Sequence, residues 1–152
     1  MTEMRIVERG QQPVAVVADV VPMAGIADFV GGAFSSVMAV AARQGVTITG
    51  PPFTRYLGAP TTTAEVEAGF PTSSFVMSED DVRPGELPAC RAVEAVHVGP
   101  YDTLGRTYDA ALRWAEEQGV STGADMWEEY LSDPTTEPDP ATWRTRVLIP
   151  LG

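Results

Sequence analysis

The order of apolar and polar residues in the first half of the chain predicts one long helix and several strands. Residues 14–21 form a β-branched run between Pro13 and Pro22, which favours a buried strand. Across residues 26–43 apolar side chains recur at spacings of three and four, and Gly45 follows, so an amphipathic helix with a left-handed stop is predicted. Further strand-like stretches lie at residues 46–48, 53–57 and 65–70. We therefore predict that this half is β-α-β-β.

The second half shows the same order of patterns. Residues 90–98 alternate as a strand that Gly99 ends, and residues 103–118 carry one apolar stripe that ends at Gly119, which predicts a second helix. Two more strands are predicted at residues 127–131 and 143–151. The charged, proline-bearing segment 78–87 is interpreted as the linker between the halves.

The halves are also related residue by residue. When the chain is aligned with itself at an offset of 74 positions, twelve residues between 25 and 62 fall on identical residues without a gap, where unrelated sequences give roughly two or three. We therefore predict a single α+β domain over residues 1–152, with pseudo-repeat halves at about 4–77 and 88–152. In this fold an antiparallel sheet carries both helices on one side, and a ligand cleft lies between the halves. The helix-free, concave side of the sheet is expected to be the functional one.

Composition and charge narrow the class of ligand. The chain has 152 residues, of which 44% are apolar and 20% charged, as is typical of one globular domain. Its formal charge of −11 opposes binding to phosphate backbones and anionic membranes and favours cationic ligands. Acidity that serves only solubility is the alternative. We expect a small-molecule ligand and no direct contact with nucleic acid or a membrane.

Several other classes of site lack their residues. Cys90 is the only cysteine, so no disulfide forms within the chain. Without a secretory leader or a run of 18 apolar residues, a cytoplasmic location is expected. No phosphate-loop or dinucleotide motif is found, so no cofactor is expected. His97 is the only histidine; it is insufficient for a metal site and is interpreted as a strand-end residue that hydrogen-bonds locally.

Motifs in both halves resemble one known family. They are, in the second half, HVGPY at 97–101, Tyr108 and Trp114 on the helix, WEEYLSDP at 127–134 and Trp143, and in the first half PPFTRY at 51–56 and EVEAGFP at 65–71. These stretches resemble the GyrI-like small-molecule-binding domain, also called the effector-binding domain of AraC-type and MerR-type regulators. The likeness covers nearly the whole chain and implies the tandem β-α-β-β fold with a ligand cleft between its halves.

The resemblance implies three kinds of activity. The family includes drug-sensing domains of transcription factors, gyrase-inhibitory proteins, and hydrolases that open cyclopropane rings in DNA-alkylating natural products. Residues 1–13 are too few for a helix-turn-helix, so a stand-alone form is expected. A protein partner such as gyrase is left open, although no local motif indicates one.

The resemblance also places an acidic residue at the base of the cleft, and Glu128 matches it. On a strand Glu128 and Tyr130 share one face, and Thr54 and Tyr56 repeat that face in the other half. The remaining candidates for the wall of the cleft are Tyr101, Tyr108, Phe34 and Trp143. A carboxylate among aromatic rings pairs with a cation, so we expect hydrophobic, often cationic aromatic ligands. The alternative is that Glu128 is solvated and the tyrosines are ordinary core residues.

A catalytic function is the second hypothesis. A desolvated Glu128, assisted by Tyr130, is suited to act as a general base that activates water against an electrophilic substrate. Arg146 on the last strand would weaken selection for cations if it faced the cleft, and Glu67 is its expected partner otherwise.

Overall fold

The computed structural model describes residues 3–58, 61–133 and 136–152. Within them it contains β1 (Met4–Arg9), β2 (Gln12–Pro22), α1 (Ile26–Gln44), β3 (Phe53–Tyr56), β4 (Thr63–Pro71), β5 (Arg83–Leu87), β6 (Cys90–Val98), α2 (Leu104–Glu117), β7 (Met126–Tyr130) and β8 (Arg144–Pro150). The α+β fold with an antiparallel sheet and two helices is as predicted. Three repeat positions, Pro60, Pro134 and Thr135, lie outside the described residues.

All eight strands form one sheet in the order β1-β6-β8-β7-β3-β4-β2-β5, and each neighbouring pair is antiparallel. Reading this order backwards exchanges each strand of the first half with its counterpart in the second. A pseudo-twofold axis therefore passes between the central strands β3 and β7. Thr54 pairs with Glu128 there, and these two residues are repeat partners at the offset of 74 positions.

The halves exchange their edge strands, which the sequence patterns did not predict. β1 comes first in the chain but pairs with β6, and β5 precedes β6 but pairs with β2. The interpretation of residues 78–87 as a linker is thus corrected, since they contain β5. An edge strand tolerates Pro84 because one side of it needs no ladder hydrogen bonds. The predicted strand at 46–48 is reduced to a single bridge between Ile48 and Thr72.

Both helices end at the glycines predicted to stop them. Gly45 follows α1 with a φ of 68°, and Gly119 lies just beyond α2 with a φ of 72°. Residues other than glycine rarely adopt this left-handed backbone conformation. Ala33 and Val37 of α1 and Ala111 and Ala115 of α2 are buried against the same face of the sheet. The two helices therefore cover two neighbouring areas of one face.

The other face of the sheet encloses a second core of its own. Phe53 and Trp127 are each 1% exposed and pack with side chains from β1, β2, β5, β6 and β8. The sheet curls over this face, and within the described part of the chain both helices lie on the opposite face. The expectation that the helix-free side is vacant is therefore wrong: its centre is filled by aromatic and aliphatic residues.

Among the described residues one stretch, Met23–Gln44, is long and apolar enough to cross a membrane when judged by length and composition. Core helices of globular proteins pass the same test. Val37 and Val40 in this stretch are 0% and 1% exposed and pack in the core beneath α1.

Candidate ligand-binding site between the helices

Glu128 lies on β7, at the pseudo-twofold axis, with its side chain on the helix-bearing face. It is only 6% exposed. Strand alternation directs Glu128 toward the helices and its neighbours Trp127 and Glu129 toward the opposite core. The predicted site is thus on the side of the sheet opposite to the one expected.

Two phenolic hydroxyls hold the carboxylate. Tyr108 of α2 donates to Glu128 Oε1 at 2.8 Å, and Tyr130 of β7 donates to Oε2 at 2.7 Å. The Tyr130 hydroxyl also lies 2.9 Å from Thr54 Oγ1. A phenol carries one hydrogen, so with Tyr130 donating to the carboxylate the hydroxyl of Thr54 donates to Tyr130. The network joins both halves of the repeat.

Burial shifts the titration of every group in this network. Desolvation raises the pKa of Glu128 above its ordinary value, against the hydrogen bonds from Tyr130 and Tyr108 and the charge of His97, which lower it. Desolvation and then the Glu128 charge raise the pKa values of Tyr56, Tyr108 and Tyr130. The tyrosines therefore stay neutral hydrogen-bond donors around a carboxyl group that is costly to ionise.

No cation within the described residues lies within ion-pair distance of Glu128. The ion pairs of the structure involve other carboxylates. Each oxygen of Glu128 has a neutral donor, but the charge itself has no counter-charge in contact. Such a buried carboxylate is stabilised when a cation enters the site.

Aromatic rings from both halves pack near Glu128. Ring centroids are 5.6 Å apart for Tyr101 and Tyr130 and 4.9 Å apart for Tyr101 and Trp143. Phe34 of α1 lies 6.0 Å from Tyr130 and 5.5 Å from Phe70. Tyr101, at 37% exposed, is the outermost ring. Ring contacts therefore connect the partly exposed Tyr101 to Tyr130, whose hydroxyl donates to the carboxylate.

All seven predicted site residues therefore lie on this face. Glu128, Tyr130 and Tyr108 are joined by hydrogen bonds, and Phe34, Tyr101 and Trp143 by ring contacts. Tyr56 is close enough for the Glu128 charge to raise its pKa. Phe70 was missed, although it alternates with buried Ala68 on β4 and so shares the face of Thr54.

His97 and Cys90 do not contribute to this hydrogen-bond network. His97 Nδ1 is 2.6 Å from Thr107 Oγ1 and its Nε2 is 2.9 Å from the Pro100 carbonyl, the local bonding predicted for it. Cys90 is a free thiol and packs in the opposite core. Among the described residues no group of His, Cys, Asp or Glu is arranged to hold a metal ion.

The expected pairing of Arg146 with Glu67 is wrong. Arg146 lies on the helix-free face, where it contacts Glu94 at 3.0 Å and Glu129 at 2.8 Å. Glu67 instead lies 3.4 Å from Arg55, its partner across the β3–β4 ladder. Arg146 is therefore on the other side of the sheet from Glu128.

Solved structures share this fold over almost the whole chain. The C-terminal domain of EcmrR has a TM-score of 0.88 and 22% identity, with 100% of this chain and 98% of that one covered. A hydrolase from Listeria innocua has a TM-score of 0.69 and 15% identity, covering 99% and 92%. The structure of SAV2435 bound to tetraphenylphosphonium has a TM-score of 0.67 and 10% identity, covering 99% and 94%. At these identities the likeness shows the fold alone.

No curated protein matches the chain at a significant level. The family described as GyrI-like small molecule binding domain matches residues 2–151. This match spans both halves of the repeat, the central strands and every residue of the aromatic and acidic cluster. The chain belongs to the GyrI-like small molecule binding domain family.

Proposed function

We propose that the protein binds hydrophobic, cationic aromatic molecules between α1 and α2, with Glu128 as the counter-charge. The observation that carries the proposal is the buried carboxylate, which is 6% exposed and has no cationic partner in contact among the described residues. A bound cation offsets the cost of keeping that charge out of water.

The aromatic wall supports the same class of ligand. A cation over the face of an aromatic ring gains about 0.5–2 kcal/mol, depending on desolvation. Tyr101, Tyr130 and Trp143 supply such faces beside the carboxylate. Lipophilic aromatic cations with a delocalised charge are favoured, because they lose little hydration when they are buried.

The two halves favour an asymmetric ligand. At the offset of 74 residues, Phe34 stands where the second half has Tyr108, and Thr54 stands where it has Glu128. The acidic, hydroxyl-bearing end of the site thus belongs to the second half, and the Phe34–Phe70 end is apolar. A ligand with one charged end and one hydrocarbon end matches both.

Entry of a ligand requires movement of the outer rings. Glu128 is almost fully covered, and Tyr101 is the most exposed member of the ring chain. Rotation of the Tyr101 side chain away from Tyr130 opens the route at the cost of one edge-to-face ring contact, about 0.5–1.5 kcal/mol.

A fluorescence titration tests the proposal. Tetraphenylphosphonium, which the related SAV2435 structure contains, is compared with tetraphenylborate, which has nearly the same shape and the opposite charge. We expect saturable quenching by the phosphonium because Trp143 lies in the ring wall. Glu128→Gln is expected to weaken binding about tenfold or more, and replacement of an exposed acid, Glu117→Gln, is the matched control.

Two results would contradict the proposal. One is equal affinity for the phosphonium and the borate, which would show that hydrophobic burial alone drives binding. The other is equal loss of affinity in Glu128→Gln and Glu117→Gln, which would assign the effect to the net charge of the protein.

A second candidate function is hydrolysis of an electrophilic natural product such as a cyclopropane-bearing alkylator. The observation that favours it is the raised pKa of Glu128 in hydrogen-bond contact with Tyr130, since a carboxylate with a raised pKa is a better general base for water. Mass spectrometry of the alkylator after incubation tests it: a product heavier by one water supports hydrolysis, and unchanged substrate excludes it.

A further inference from the structure

We propose a second binding site, on the helix-free face of the sheet, for a small organic anion. A cavity of about 340 Å³ opens there, between the β1–β2 turn, the segment before β3 and the end of β5. Its walls include Arg9, Gln12, Phe53, Leu87, Trp127 and Arg146. Alternation along β7 puts Trp127 and Glu128 on opposite faces, so this site is separate from the one between the helices and does not rest on its function.

The charge of the cavity wall is positive. Arg9 Nη2 lies 2.8 Å from Glu129 Oε2, and Arg146 Nη1 lies 2.8 Å from Glu129 Oε1. One carboxylate is thus shared between two guanidinium groups. The same network of ion pairs includes Glu94, which contacts both Arg146 and Arg5. It then contains three positive and two negative groups, with a net charge of +1.

The two arginines keep donors for a ligand. A guanidinium group has five N–H donors in a fork that matches a carboxylate, and each of these side chains is 31% exposed. Glu129, by contrast, is 8% exposed at its side chain and has both oxygens in contact with arginine. The guanidinium groups are therefore more accessible than the Glu129 carboxylate to an entering anion.

A positive pocket is unusual on this protein. The formal charge of the whole chain is −11, so the surface as a whole repels anions. An anion that binds here gains from local guanidinium contacts and not from the long-range field. The site is therefore expected to select its ligand by shape and by direct hydrogen bonds.

Buried aromatic and aliphatic side chains close the floor of the cavity, and its accessible wall is mainly polar. Phe53 and Trp127 are each 1% exposed, and Leu87 is 5% exposed. Proline rings from the neighbouring segments complete the apolar lining, at positions 51, 71 and 88. Ligand pockets range from about 300 to 1,000 Å³, so this cavity is at the small end and suits an acid with one or two rings.

The test uses 1-naphthylacetate and its neutral amide, 1-naphthylacetamide, as a matched pair. Each is titrated into the ¹⁵N-labelled protein while the indole N–H signals are followed by NMR. The Trp127 indole nitrogen lies 3.4 Å from Glu129 Oε2, so an anion that engages Arg9 and Arg146 is expected to shift its signal. We expect saturable binding of 1-naphthylacetate and an affinity about tenfold weaker for 1-naphthylacetamide.

Variants assign the binding to this cavity. Arg9→Gln is expected to weaken the binding of 1-naphthylacetate about tenfold. Arg146→Gln is expected to have the same effect and replaces Arg9→Gln if that variant fails to fold. Arg113→Gln, on the exposed side of α2, and Glu128→Gln are expected to leave the affinity unchanged. An unmoved Trp127 signal, equal affinity for acetate and amide, or loss of acetate binding in Glu128→Gln would each overturn the proposal.

Discussion

At the scale of single residues, Glu128 occupies the one position where a strand residue faces its own repeat partner. Opposed side chains on neighbouring antiparallel strands have β-carbons about 4.5–5.5 Å apart. Two carboxylates at this distance would repel each other, and the pair is instead Glu128 and Thr54. The sequence difference at this position allows one buried charge, with the Thr54 hydroxyl bound to Tyr130 beside it.

The raised pKa of Glu128 predicts a specific pH dependence of stability. The folded protein binds the Glu128 proton more tightly than the unfolded chain does. In the unfolded chain the pKa of this carboxyl group has its ordinary value of 4.5. The folded state therefore carries more protons in the interval above pH 4.5, and stability falls as the pH rises through the raised pKa. Glu128→Gln lacks this contribution, so the free energy of unfolding of the wild type minus that of the variant is expected to decrease across this interval.

Urea denaturation of both proteins at a series of pH values measures this difference. A difference that stays constant, or that increases with pH, would contradict a desolvated Glu128.

The positions of the candidate site residues were more predictable than their contact partners. The acid and the tyrosines follow from the family resemblance together with strand alternation, which assigns Glu128 and Tyr130 to one face. Alternation does not give the distance between α2 and the sheet. The hydrogen bond from Tyr108 to Glu128 Oε1 was therefore not predictable from the strand pattern. The partner of Arg146 depended on the β6–β8–β7 order, which no local pattern contains.

At the scale of elements, the helices were more predictable than the edge strands. Periodicity and a glycine stop define α1 and α2 from local sequence. β1 and β5 are short, β5 carries Pro84, and each pairs with a strand of the other half. Their pairing is a long-range choice, and a proline in a charged segment is more often a sign of a loop.

The close approach of β2 and β4 makes a strong prediction for Gly69. A β-carbon on Gly69 would lie 1.8 Å from the carbonyl oxygen of Ala15, inside van der Waals contact with backbone. Gly69→Ala is therefore expected to lower the free energy of unfolding by about 2–4 kcal/mol. Because Gly69 also pairs with Phe53 on β3, the strain is transmitted to the central strands.

Gly105→Ala is the control for this substitution. Gly105 lies in α2 and a β-carbon there has no atom within 4 Å, so alanine is expected to stabilise the helix by about 1 kcal/mol or less. Thermal or urea unfolding of the two variants measures both effects. Equal stability of Gly69→Ala and the wild type would contradict the packing of β2 on β4.

At the scale of the whole molecule, one curled sheet separates two environments of opposite charge. The helix-bearing face holds a carboxylate without a cationic contact among the described residues. Beside a small cavity, the helix-free face holds Arg9 and Arg146 around one shared carboxylate, that of Glu129. Adjacent residues of β7, Glu128 and Glu129, belong to these two environments because alternate side chains point to opposite faces.

The duplication itself was predictable, and the curl of the sheet was not. Repeat matches at an offset of 74 residues indicated two equivalent halves with a seam between them. The sequence patterns did not show that Phe53 and Trp127 would close the helix-free face, because an alternating strand has two sides of similar hydrophobicity here. The predicted site residues were therefore expected on the helix-free side, whereas the structure places them together on the helix-bearing face.

The most direct test of a cation site at Glu128 is the NMR titration of its ¹³C-labelled carboxyl group with and without tetraphenylphosphonium. A cation in contact with the carboxylate favours the ionised form, so binding is expected to lower the pKa of Glu128 by about one unit or more. A titration curve that the phosphonium leaves unchanged at saturation would contradict the proposed role of this residue.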